Sequence, residues 1–168
     1  MSKKDLKLYL KGLDKEQLEN QIIELYEKFK PIKTFYNFVF NPKENKLSEE
    51  AKFKISKEYF PVNNRKPKMR RSVAQKLIKH FIQLGVDNAI IADIMLYNIE
   101  VAQLYCQDKS IKQASFYRSM LKSFEQALNF IQENALTPEF MPRITKIVTT
   151  TKEQKWINYW GFEDALNR

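Results

Sequence analysis

Three glycines in 168 residues leave this chain without a glycine-rich loop to cradle a phosphate. Gly12, Gly85 and Gly161 all fall at expected helix ends, so a Rossmann or P-loop nucleotide site is excluded. With a single histidine, His80, and a single cysteine, Cys106, the chain cannot assemble a His/Cys zinc site or an internal disulfide. No metal and no cofactor are expected, and a lone thiol fits a reducing compartment. Long hydrophobic runs are missing too. The longest, at 89–92 and 94–97, are about four residues, against the roughly 20 that a membrane span needs. The first twelve residues are basic but have no apolar stretch of signal-peptide type. Together these absences predict a soluble, cytoplasmic protein.

What the chain does have is aromatic residues and lysine. Apolar residues make up 43% and charged residues 29%, ordinary values for a globular protein. The formal net charge is +9, and it is concentrated. Residues 52–79, KFKISKEYFPVNNRKPKMRRSVAQKLIK, hold seven lysines and three arginines against one acid, Glu58. That local excess equals the charge of the whole chain, so everything outside it sums to zero. A balance this uneven points to an anionic partner. Lysine binds phosphate as a point charge, whereas arginine reads it bidentately, and here lysine predominates.

Turn and cap residues divide the chain into helices. Ser2 with Asp5, and Asp14 with Gln17, have capping-box spacing, and the first two helices read as a small hairpin ending before Pro31. The aromatic run at 34–40, TFYNFVF, has strand-like composition but no pairing strand nearby, and is expected to be a buried helix. A helix over 43–60 follows. Pro61 and Pro67 then hold the connector 62–69 out of regular structure. Residues 70–84 are amphipathic, with Val73, Ala74, Leu77, Phe81 and Leu84 on one side. Residues 87–106 are apolar nearly all round, which marks a central helix. From 112 to 134, Ala114, Tyr117, Leu121, Phe124, Leu128 and Ile131 alternate steps of three and four, a bundle seam. Thr137 and Pro138 open the next helix, expected to fray in its β-branched stretch 147–151. The tail carries Trp156, Tyr159, Trp160 and Phe162, with a break at Gly161; the aromatics read as a lid on the bundle, or else as a stacking surface for bases or a peptide. The expectation is an all-α fold: one domain spanning 1–168, an antiparallel multi-helix bundle or a short α-solenoid of helical hairpins.

Candidate chemistry is sparse. His80 and Cys106 sit on consecutive helices, but His80 lies at the edge of an apolar face and Cys106 ends a buried helix as a small hydrophobe. Asp93 and Glu100, seven residues apart, share one helix face and have the spacing of paired carboxylates. Their simpler reading is a narrow solvated strip, and a third reading sets that strip against Lys76 and Lys79, neutralising them. The basic segment is the stronger candidate. Arg65, Lys66, Lys68, Arg70 and Arg71 crowd the proline-bounded connector, and Lys76 and Lys79 continue the charge along the next helix. Free cations ahead of a helix N-terminus attract anions through charge and unpaired N–H groups.

Three further runs carry a resemblance: Phe40-Asn41-Pro42-Lys43, AKFKISKEYFP at 51–61, and RRSVAQKLIKHF at 70–81. In these the chain resembles a family of small bacterial proteins known only as a domain of unknown function. The resemblance covers most of the chain and implies a bacterial cytoplasmic protein, with no catalytic or binding residues to carry over.

The functional expectation is a non-enzymatic helical interaction module whose basic edge, 65–79, docks an acidic partner. The alternatives are a nucleic-acid-binding accessory protein contacting phosphates without base specificity, and an enzyme built on Asp93, Glu100 and His80.

Overall fold

The computed structural model describes residues 2–62 and 65–168, and all its regular structure is helical. Nine α-helices follow one another among the described residues: α1 (Lys3–Lys11), α2 (Lys15–Lys28), α3 (Lys30–Phe40), α4 (Glu44–Tyr59), α5 (Arg71–Leu84), α6 (Asn88–Gln107), α7 (Ala114–Glu133), α8 (Thr137–Glu153) and α9 (Tyr159–Leu166). Their contacts group them into two compact units, Met1–Lys43 and Glu44–Arg168.

In the first unit both expected capping boxes form. Asp5 N–H donates to Ser2 Oγ at 3.3 Å while Ser2 N–H donates to the Asp5 carboxylate at 2.7 Å. Asp14 and Gln17 repeat the exchange at 2.8 and 3.0 Å. Phe29 closes α2 and opens α3 in extended geometry, and Pro31, with no N–H to satisfy, sits in the first turn of α3. The run at 34–40 is helical as expected, but it is not buried. No described residue of this unit is buried, and Phe40 is 79% exposed. About forty residues in three short helices have too few elements to enclose a core.

The second unit has the core. α6 packs against α4, α5, α7 and α8, and Ala92, Ile94, Leu96, Ile99 and Ala102 have no solvent contact. By length and composition α6 could cross a membrane, yet most of it is covered by the neighbouring helices. The α7 seam is used within the unit: Tyr117, Phe124 and Ile131 are buried against α6 and α9, joined by Met120 and Ala127. α5 presents Ala74, Ile78, Phe81 and Leu84 inward, and Gly85 at φ 74° ends it.

Two local expectations fail for the same reason, tertiary contact. The stretch 147–151 does not fray; α8 runs on to Glu153, with Ile147, Val148 and Thr151 buried. The Thr151 hydroxyl donates to the Val148 carbonyl at 2.7 Å, and packing outweighs the modest helix penalty of β-branched residues. Gly161 is no break either. It lies buried inside α9, where a Cβ would come within 2.6 Å of Leu121 Cδ2. A glycine there lets two helices approach closely.

α7 and α8 end alike. Leu136 N–H donates to the Ile131 carbonyl and Ala135 N–H to that of Gln132; Trp156 and Lys155 make the same pair of bonds to Thr151 and Lys152. These are Schellman turns with non-glycine residues in the left-handed position, Ala135 at φ 56° and Lys155 at φ 53°. The second turn aims Trp156 into the core. Its ring meets Phe116, Tyr117 and Phe162 at centroid distances of 5.4–5.9 Å, and Phe162 meets Phe124 at 5.0 Å. The aromatic tail is therefore divided: Trp156 and Phe162 close the core, while Trp160 is 62% exposed. Replacing Trp156 by Ala is expected to cost roughly 3–5 kcal/mol in urea unfolding, while Trp160→Ala stays within about 0.5 kcal/mol of wild type.

Candidate functional site

The basic connector is organised by the one acid it contains. Glu58 lies in the last turn of α4, and it is buried. Its backbone carbonyl accepts from Lys68 N–H and Met69 N–H, both at 3.0 Å. Its carboxylate accepts from Arg70 three times: the backbone N–H at 3.2 Å, Nε at 2.9 Å and Nη2 at 2.7 Å. Five hydrogen bonds thus bring the chain after Pro67 back onto the end of α4. Met69 takes a left-handed φ of 49° to make this turn, a conformation that costs an ordinary residue on the order of 1–2 kcal/mol. The forked hydrogen bonds from Arg70 hold the Glu58 carboxyl below its usual range.

Closing the loop in this way shapes a cleft of about 380 Å³. Lys57, Arg65, Lys66, Lys68 and Arg70 line it with Glu58, and Pro61 and Val62 give it an apolar wall. Arg70 is neutralised by Glu58. Lys57, Arg65, Lys66 and Lys68 pair with no carboxylate among the described residues. Lys57 instead sits over the Phe53 ring, 4.3 Å from its centroid, on the exposed side of α4. Phe60, 44% exposed, continues this strip edge-on to Tyr105. The connector is irregular at Pro61, Val62 and 65–70; its Asn63 and Asn64 lie outside the described residues.

Of the seven residues singled out in the sequence, four meet in this cleft: Arg65, Lys66, Lys68 and Arg70. The other three stand apart from its lining. Arg71 turns toward α7, where Nε donates to Ser123 Oγ at 2.8 Å and Nη2 to Gln126 Oε1 at 2.7 Å. Lys76 and Lys79 are exposed on α5. Lys57 was missed because it belongs to the preceding helix. The available signal was Glu58, a lone carboxylate at a helix end among ten cations.

The acidic strip on α6 does not face Lys76 and Lys79. Arg143 of α8 binds Glu100 through Nε and Nη2 at 2.9 and 2.8 Å, and Asp93 through Nη1 at 2.7 Å. Lys52 of α4 takes the other Asp93 oxygen at 2.6 Å. Two carboxylates and two cations form a four-member network clamping three helices. Among the lysines of the basic stretch, this network neutralises Lys52 and leaves the connector untouched. His80 is exposed on α5 and makes no hydrogen bond or ion pair with either carboxylate. The half-buried Cys106 thiol is pushed up to about 11 by burial, which keeps it protonated near neutral pH and without a thiolate to offer.

Because the Glu58 pKa is depressed by folding, its contribution is full above the unfolded value of about 4.5 and is lost as pH falls through the folded one. Glu58→Gln is expected to lose about 1–3 kcal/mol at pH 7, and that difference should shrink steadily as denaturation is repeated below pH 4.5.

No curated protein and no solved structure matches the chain. One family model does, the family of unknown function DUF6155, and it matches residues 1–168. With the whole length covered, the chain belongs to that family.

Proposed function

We propose that this chain is a non-enzymatic docking module, and that the α4–α5 cleft takes an acidic segment of a protein partner. The observation that carries the reading is the charge of the cleft: five cations, Lys57, Arg65, Lys66, Lys68 and Arg70, line it with one carboxylate, Glu58, which is already paired with Arg70. Like charges held together repel one another, and a fold that keeps them so gains when an anion arrives. The chemistry around them favours a peptide over a bare polyanion. Pro61 and Val62 line the cleft, and exposed Phe53 and Phe60 lie beside it, so apolar side chains interleaved with carboxylates find a match. A cytoplasmic, bacterial setting belongs to the same reading.

A labelled Glu-rich peptide containing a few Leu and Phe residues tests it by fluorescence anisotropy. Binding is expected at low salt and should weaken about tenfold between 50 and 200 mM. The triple substitution Arg65→Ala, Lys66→Ala, Lys68→Ala should abolish it, while Lys76→Ala with Lys79→Ala leaves it within about twofold. If mixed-sequence RNA or DNA binds and the peptide does not, with log K falling against log salt at a slope near −4, the partner is nucleic acid. If neither binds, the docking reading is wrong.

A further inference from the structure

The first unit leaves a run of large apolar side chains in solvent, Ile22, Ile23, Phe29, Phe35, Val39 and Phe40 among them. Ile22, Ile23 and Tyr26 of α2 face Tyr36 and Phe40 of α3 across an apolar groove of about 310 Å³. Ile22 is 45%, Ile23 55% and Phe40 79% exposed. The contacts step away from Phe29 along both arms. Tyr26 meets Tyr36 at 6.4 Å and donates from its hydroxyl to Asn37 Oδ1 at 3.1 Å, and the Ile22 and Ile23 level then meets Phe40. The two helices therefore run antiparallel.

The charges beside this groove say what fits it. At 100° per residue, Glu19 and Glu27 flank Ile23 on α2, and Lys33 flanks Tyr36 and Phe40 on α3. Lys33 Nζ stands 5.5 Å from the centroid of the Tyr26 ring. α2 has four glutamates against two lysines, whereas α3 has two lysines and no acid. Neither Glu27 nor Lys33 makes an ion pair among the described residues. Glu19 and Glu24 are paired within α2 by Lys15 and Lys28, and a groove edged by the unpaired Glu27 on one helix and the unpaired Lys33 on the other is complementary to itself. A two-fold axis running along it lays α2 of one copy antiparallel over α3 of the other, the arrangement of a four-helix bundle. Glu27 and Lys33 lie two and four residues from Phe29, so that rotation brings Glu27 of each copy near Lys33 of the other.

We propose that the α2–α3 groove is a homodimer interface, its apolar floor sealed by a second copy and its register set by two Glu27–Lys33 contacts. This surface shares no residue with the basic cleft and does not depend on the docking reading. Sedimentation equilibrium of the full chain over about 1–200 μM is expected to show a closed dimer. Phe40→Asp should weaken it about thirtyfold or more. Lys33→Glu alone and Glu27→Lys alone each oppose like charges across the axis and should weaken it about tenfold, with helical circular dichroism unchanged. Mixing those two variants creates a heterodimer in which both contacts are again attractive, and the wild-type affinity should return. A monomer at every concentration, open-ended oligomers, or a mixture no tighter than its components would each overturn the proposal. The monomer would assign the groove to another protein or to the rest of the chain.

Discussion

Glu58 is the constraint on which the basic region depends. Ten cations in 28 residues would push an unanchored connector away from the domain that carries it. One carboxylate prevents this by accepting from Arg70 through both of its oxygens, and the carbonyl of the same residue receives the N–H groups of Lys68 and Met69. Backbone and side chain thus act at a single point of α4. The energy of the pair is modest by itself, since half of the Arg70 side chain is exposed. Its structural effect is larger, because it decides where Arg65, Lys66 and Lys68 stand.

The same arithmetic of charge separates two kinds of ionic group in this protein. Arg143, Lys52, Asp93 and Glu100 satisfy each other across α4, α6 and α8, and all four side chains are about two-thirds or more withdrawn from water. Arg65, Lys66 and Lys68 of the connector, with Lys57 beside them, make no ion pair among the described residues. Net charge alone could not distinguish them, since Lys52 and Lys57 are five residues apart on one helix and belong to different groups.

Helix content and most boundaries were legible in the sequence because they are set by local chemistry: the Ser2 and Asp14 caps, Gly85, and the period of apolar residues in α5 and α7. What was not legible depended on residues distant in the chain. Nothing near Asp93 announces Arg143, fifty residues on, and nothing near Gly161 announces Leu121. The aromatic run of α3 was read as buried because its composition suits a core, but composition cannot say whether enough neighbours exist to make one. Half of the candidate site followed the same logic. Arg65, Lys66, Lys68 and Arg70 are close in sequence and meet in space, whereas Arg71, the next residue, is drawn to α7 by Ser123 and Gln126.

The scarcity of glycine has a thermodynamic side as well. Only Gly85 among the three glycines adopts a left-handed conformation, while Met69, Ala135 and Lys155 do so with a Cβ. Each of these three residues carries strain in the folded chain that a glycine would not. Each also gives the unfolded chain fewer backbone states than a glycine would, so less entropy is lost when the turn forms. The joints after α7 and α8 and the turn before α5 are therefore set by a balance in which the disordered state counts as much as the native one. Contacts visible in the folded protein describe only half of it.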